Sequence, residues 1–157
     1  MPATKPYETK TLGEGVDATA PDGTAVRLLL SLAGGSMAHF ELPPGAVSHA
    51  VTHRTVEEIW FVVSGRGDIW RCQGDVESID PLGPGTSLTI PLGAAFQFRA
   101  EAGSALAFVA ITMPPWPGTD EAVAELCPYM LQTFLESDRG FQKARKGADD
   151  SSSAGER

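Results

Sequence analysis

Gly and Pro interrupt this chain too often between residues 23 and 118 for any long helix to form. Gly34-Gly35, Pro43-Pro44-Gly45, Gly65-Arg66-Gly67, Gly74, Pro81 to Gly85, Pro91 to Gly93 and Gly103 are turn signals. The segments between them are short and strand-like: Val26–Leu32, Met37–Leu42, Val47–His53, Glu58–Val63, Asp68–Cys72, Val76–Ile79, Ser87–Ile90, Ala95–Arg99 and Ala105–Thr112. Short strands at this spacing predict an all-β sandwich or barrel.

The chain has 157 residues, enough to bury about two-thirds of its unfolded surface and build a real core. With 20 Asp and Glu against 12 Lys and Arg, the net charge is −8. Phosphate binding calls for the opposite surplus, so no nucleic-acid partner is expected. No apolar run approaches the roughly 20 residues of a membrane span, so no membrane partner is expected either. The N-terminal residues lack the apolar stretch of a signal peptide, and Cys72 and Cys127 form no spaced framework. Both features predict a cytoplasmic protein with reduced thiols, Cys72 lying in the core.

The pattern changes after Thr112. Met113-Pro-Pro-Trp-Pro-Gly118 closes the β region, which with the N-terminal strand spans residues 1–118. Thr119 or Asp120 can cap a helix beginning near Glu121, Pro128 suits the first turn of a second piece, and Leu131, Phe134 and Leu135 share one side at helical spacing. The reading is a helical extension over 119–143 and a solvated, Ser-rich tail over 144–157.

The histidines are His39, His49 and His53. In a strand, His49, Val51 and His53 share one face, and on the next strand Glu58, Trp60 and Val62 share another. Two imidazoles and a carboxylate meeting inside a barrel could hold a divalent metal. The simpler alternative is a buried His53–Glu58 pair with no ion between them.

The stretch Gly45-AVSHAVTHRTVEEIWFVVS-Gly65 resembles the first motif of the cupin superfamily, and Gly85-TSLTI-Pro91-L-Gly93-AA-Phe96 resembles the second. The likeness covers residues 25–118 and implies a cupin jelly-roll β-barrel, the double-stranded β-helix. It also implies a homodimer, in which residues 5–12 could add a strand across the interface. On the first motif, the family's metal-ligand positions fall on Val51, His53 and Glu58. On the second, the His position is Phe96 and the Asn position is Ala100. The cofactor is therefore either absent or one divalent transition metal, in a site shifted to His49, His53 and Glu58. His49 would stand about 6.6 Å along the strand from Val51.

Three functions follow. The first is a metal-independent isomerase, cyclase or lyase, with His53 and Glu58 as a catalytic acid–base pair and Val51, Trp60, Val62, Phe96 and Phe98 lining a pocket for a small polar or aromatic metabolite. Enclosure by these side chains should raise the Glu58 pKa, and a neighbouring imidazolium should oppose that while its own pKa rises. The second is a metal-dependent, dioxygenase-like enzyme using the shifted site. The third is a non-catalytic small-molecule-binding protein.

Overall fold

The computed structural model describes residues 4–21 and 23–125, which lie within one compact unit, Met1–Glu125. In chain order the strands are β1 (Ala18–Thr19), β2 (Ala25–Leu32), β3 (Gly35–Leu42), β4 (Val51–His53), β5 (Glu57–Ser64) and β6 (Gly67–Gln73). They continue with β7 (Val76–Leu82), β8 (Ser87–Ile90), β9 (Ala95–Ala100), β10 (Leu106–Met113) and β11 (Ala122–Ala124).

These strands form two antiparallel sheets. One has the order β1-β2-β3-β10-β5-β8 and the other β11-β4-β9-β6-β7. This is the all-β architecture expected from the turn spacing, and the jelly roll that the motif resemblance implies. Between the sheets lie Leu42, Val62, Ile69, Ile90, Leu106 and Phe108, all nearly or fully buried. Strand alternation places them there: on β5, Glu58, Trp60 and Val62 are buried while Ile59, Phe61 and Val63 are exposed.

Two glycines fix the turn after β5. A side chain on Gly65, which has φ of +79°, would meet the Ala105 carbonyl at 2.0 Å, and one on Gly67 would meet the Arg99 carbonyl at 1.9 Å. Only glycine permits strands to approach so closely there.

Several boundaries differ from expectation. The strand read over 47–53 begins only at Val51, and Val47 makes a single bridge to Arg99. β7 continues through Pro81 because it is an edge strand, where a missing N–H breaks no interior ladder. Cys72 is half-buried rather than in the core. Residues 122–124, expected to be helical, are a strand because the extended chain completes the ladder of β4: Ala122 pairs with His53 and Ala124 with Val51. Residues 126–143 of the expected helix and the tail lie outside the described residues, as does Cys127. No helix among the described residues is long and apolar enough to cross a membrane.

Candidate acid–base site

His53 ends β4, and Glu58 is the second residue of β5. The two strands belong to different sheets, and the three residues Arg54, Thr55 and Val56 join them. Both side chains point inward and are about 95% buried. His53 Nδ1 stands 3.7 Å from Glu58 Oε1, too long for a hydrogen bond, and has no hydrogen-bond partner. The other carboxyl oxygen, Oε2, accepts a hydrogen bond from Trp60 Nε1 at 2.5 Å.

The surroundings are aromatic. The His53 ring meets Phe96 and Trp116 edge-on, with centroids 5.2 Å and 5.1 Å away. Trp60 stacks on Phe108 at 3.9 Å and meets Phe96 and Phe98 edge-on. Such contacts add to the stability that burial alone provides. Val51 packs against this cluster from β4, directly opposite Phe96 on β9.

Burial in this wall pushes the Glu58 carboxyl up to about 7, although the Trp60 N–H opposes the change by favouring the carboxylate. His53 moves the other way. Burial lowers its pKa, and the nearby Glu121 carboxylate only partly opposes this. This is opposite to the rise expected for an imidazole beside a carboxylate. Desolvation dominates, and at neutral pH an uncharged imidazole faces a carboxyl group that is near half-protonation.

Glu58 also forms part of the wall of a cleft of about 240 Å³ between β5, β8 and the end of β10, with Glu57, Ile59, Thr89, Pro91 and Met113. Trp60, Phe96, Phe98 and Val62, expected to line an interior pocket, are packed into the core with exposures of 7% or less. Val51 is partly buried against them.

The shifted metal site does not assemble. His49 is exposed and precedes the first residue of β4, so the alternation that would align it with Val51 and His53 does not extend to it. Among the described residues, no three His, Cys, Asp or Glu side chains gather as a metal-binding group. At the superfamily's own positions, Val51 and Phe96 offer only carbon, and the Phe96 ring packs against the one imidazole present. One imidazole and one carboxyl fall short of the three protein ligands that a catalytic zinc-type site normally has.

Sequence reasoning missed Glu121, which is 4% exposed. Its Oε1 accepts hydrogen bonds from the backbone N–H groups of Thr55 at 2.5 Å and Val56 at 2.8 Å, and its Oε2 accepts one from Thr55 Oγ1 at 2.8 Å. Burial alone would raise its pKa, but these donors hold it below the usual carboxylate range. Nothing local in the sequence marks this residue, since all its donors lie more than sixty positions earlier.

Residues 38–112 match the cupin domain family, and residues 94–146 match a family described only as a protein of unknown function (DUF2274). No curated protein matches the chain. Among solved structures, a cupin-2 domain protein from Rhodospirillum rubrum is 24% identical, with 78% of this chain and 83% of that one covered and a TM-score of 0.59. The polyketide cyclase RemF from Streptomyces resistomycificus is 18% identical, with 77% and 87% covered and a TM-score of 0.59. Oxalate decarboxylase from Bacillus subtilis is 16% identical, and 69% of this chain aligns with 30% of that one at a TM-score of 0.62. At these identities the likeness is one of fold.

Proposed function

We propose that this member of the cupin superfamily, whose cupin domain spans residues 38–112, is a metal-independent enzyme that moves a proton on a small polar metabolite, with Glu58 as the acid–base group and His53 as its partner. The observation that carries this reading is the Glu58 carboxyl, buried among aromatic rings, pushed up to about 7 and facing an unpartnered imidazole nitrogen. A group half-protonated at neutral pH can give and take a proton within one catalytic cycle, which suits isomerisation, cyclisation or elimination. A carboxyl with the ordinary pKa would almost always be ionised and could act only as a weak base.

The cleft beside Glu58, at about 240 Å³, is smaller than the roughly 300–1,000 Å³ typical of drug-sized ligands. That size favours a compact metabolite over an extended ring system. Thr89 and Glu57 supply polar contacts at its wall, and Ile59, Pro91 and Met113 supply apolar ones.

The test pairs a titration with a substrate search. The ¹³Cδ signal of Glu58 is followed by NMR from pH 3 to 9, and a midpoint near 7 is expected. In parallel, small hydroxy acids, sugar acids and aromatic acids are screened for thermal stabilisation and for product by mass spectrometry. Conversion should disappear in both Glu58→Gln and His53→Ala. A midpoint near 4.5, or conversion that persists in both variants, overturns the reading. Saturable stabilisation with no product from any stabilising compound replaces it with a binding protein.

A further inference from the structure

We infer that Glu121 is the positioning residue of the His53–Glu58 pair, its buried carboxylate pinning the turn that joins the two across the sheets. This rests on the acid–base reading of the pair. The argument begins from topology. Inside a single sheet, ladder hydrogen bonds would fix the separation of two facing side chains. Here β4 is bonded to β11 and β9, and β5 to β10 and β8, so no ladder bond connects the strand of His53 to that of Glu58. Their relative placement depends on the three-residue turn Arg54-Thr55-Val56 and on whatever holds it.

Glu121 holds it from the side of β4. β11 pairs with β4 residue by residue, and the Glu125 N–H donates to the Ala50 carbonyl at 2.9 Å. One residue before this ladder, the Glu121 main-chain carbonyl accepts from the Arg54 N–H at 3.0 Å. Its side chain then takes the next two N–H groups and the Thr55 hydroxyl. All three backbone donors of the turn therefore end on one residue. Val56, the last of the turn, is fully buried and leads directly into β5. The turn is thus fixed at both ends, with Glu121 held next to the β11–β4 ladder and Val56 locked in the core at the start of β5.

A buried carboxylate is a costly way to staple a loop unless it is fully hydrogen-bonded. Three donors meet that condition, and the charge also lies near the imidazole of His53, which it influences. The residue neither touches the cleft nor contributes to its wall, so its role is geometric.

The test uses the full chain, labelled with ¹⁵N and ¹³C, in three variants. Glu121→Ala removes all side-chain acceptors. Glu121→Gln keeps Oε1 as an acceptor and can donate to Thr55 Oγ1. Leu82→Ala, in the core near the opposite edge of the second sheet, is the control for general loss of stability. In Glu121→Ala, exchange at the Val56 amide should accelerate about tenfold or more, as expected for loss of a hydrogen bond to a charged group. The His53 ring signals, shifted in the wild type by the flanking Phe96 and Trp116 rings, should move toward free-histidine values. Glu121→Gln should restore the ring signals, and Leu82→Ala should leave them unchanged despite its lower melting temperature. His53 signals unmoved in Glu121→Ala, or moved equally in Leu82→Ala, overturn the inference. Neither result depends on the Glu58 titration or on turnover, so failure here is distinct from failure of the acid–base reading.

Discussion

Replacing Glu58 by Gln removes one ionisable proton and little else. The amide oxygen can still accept from Trp60 Nε1, and the side-chain volume hardly changes. In the folded protein the carboxyl keeps its proton up to about 7, whereas in the unfolded chain it ionises near 4.5. Between those values the folded state binds more protons than the unfolded state, so stability falls as pH rises. The contribution is fully present below about 4.5 and is lost by the time pH passes 7. At about 1.4 kcal/mol per pH unit, the span from 4.5 to about 7 amounts to roughly 3 kcal/mol. His53 acts in the opposite sense. Its folded pKa is depressed, so its contribution is complete above about 6.5 and is lost as pH falls. That slope is common to both proteins and cancels in their difference. Urea unfolding at pH 4, 6 and 8 should therefore show Glu58→Gln within about 1 kcal/mol of wild type at pH 4 and roughly 3 kcal/mol more stable at pH 8, with the urea dependence unchanged. A difference that stays constant across this range would mean that the native carboxyl is not desolvated, and the acid–base reading would lose its foundation.

Three further outcomes follow from the same geometry. Trp60→Phe removes the N–H that favours the Glu58 carboxylate, so the carboxyl midpoint should rise above the wild-type value by ¹³Cδ NMR; a fall would contradict the hydrogen bond's role. Gly67→Ala places a Cβ 1.9 Å from the Arg99 carbonyl, a backbone atom that cannot swing away. It should cost roughly 2–3 kcal/mol or more in urea unfolding, and a loss under about 1 kcal/mol would refute the close approach. Val51 and Phe96 are directly opposed on β4 and β9, so the double variant Val51→His with Phe96→His adds two imidazoles beside His53 and Glu58. It should take up one equivalent of cobalt(II) with the visible absorption of a protein-ligated ion, and absence of uptake would show that these four positions do not converge.

Much of the barrel can be read from short-range pattern. The Gly and Pro spacing marks the strand ends, and alternation alone predicts that Glu58, Trp60 and Val62 turn inward together. It likewise predicts that Phe96 and Phe98 share a buried face, as observed. What the pattern cannot show is set by pairing between distant segments. Whether His49 belongs to a strand depends on where β9 and β11 stop bonding to β4. Pro81 fits in a strand only because, among the described residues, no further strand lies beyond β7. Glu121 sits in a stretch that reads as a helix start, and its role appears only when β11 closes on β4 and brings it to a turn formed more than sixty residues earlier.

The same replacements account for both unusual properties of the site. In a metal-binding arrangement, a cation beside Glu58 would hold the carboxylate ionised, because a nearby positive charge favours the charged form. Here the positions that would complete the ligand set carry Val51 and Phe96. Phe96 sets its ring edge against both His53 and Trp60, the two side chains facing the Glu58 carboxyl. With carbon at these two positions the ligand set of such a site is incomplete, and hydrocarbon there helps to exclude the water that would otherwise solvate a carboxylate. The rise of the Glu58 pKa to about 7 comes from burial, and the carbon side chains at positions 51 and 96 belong to the core that buries it. On this argument, the two histidine substitutions that create a metal site should also return Glu58 to the ordinary carboxylate range once the ion is bound, and the ¹³Cδ titration of the cobalt- or zinc-loaded double variant measures that directly.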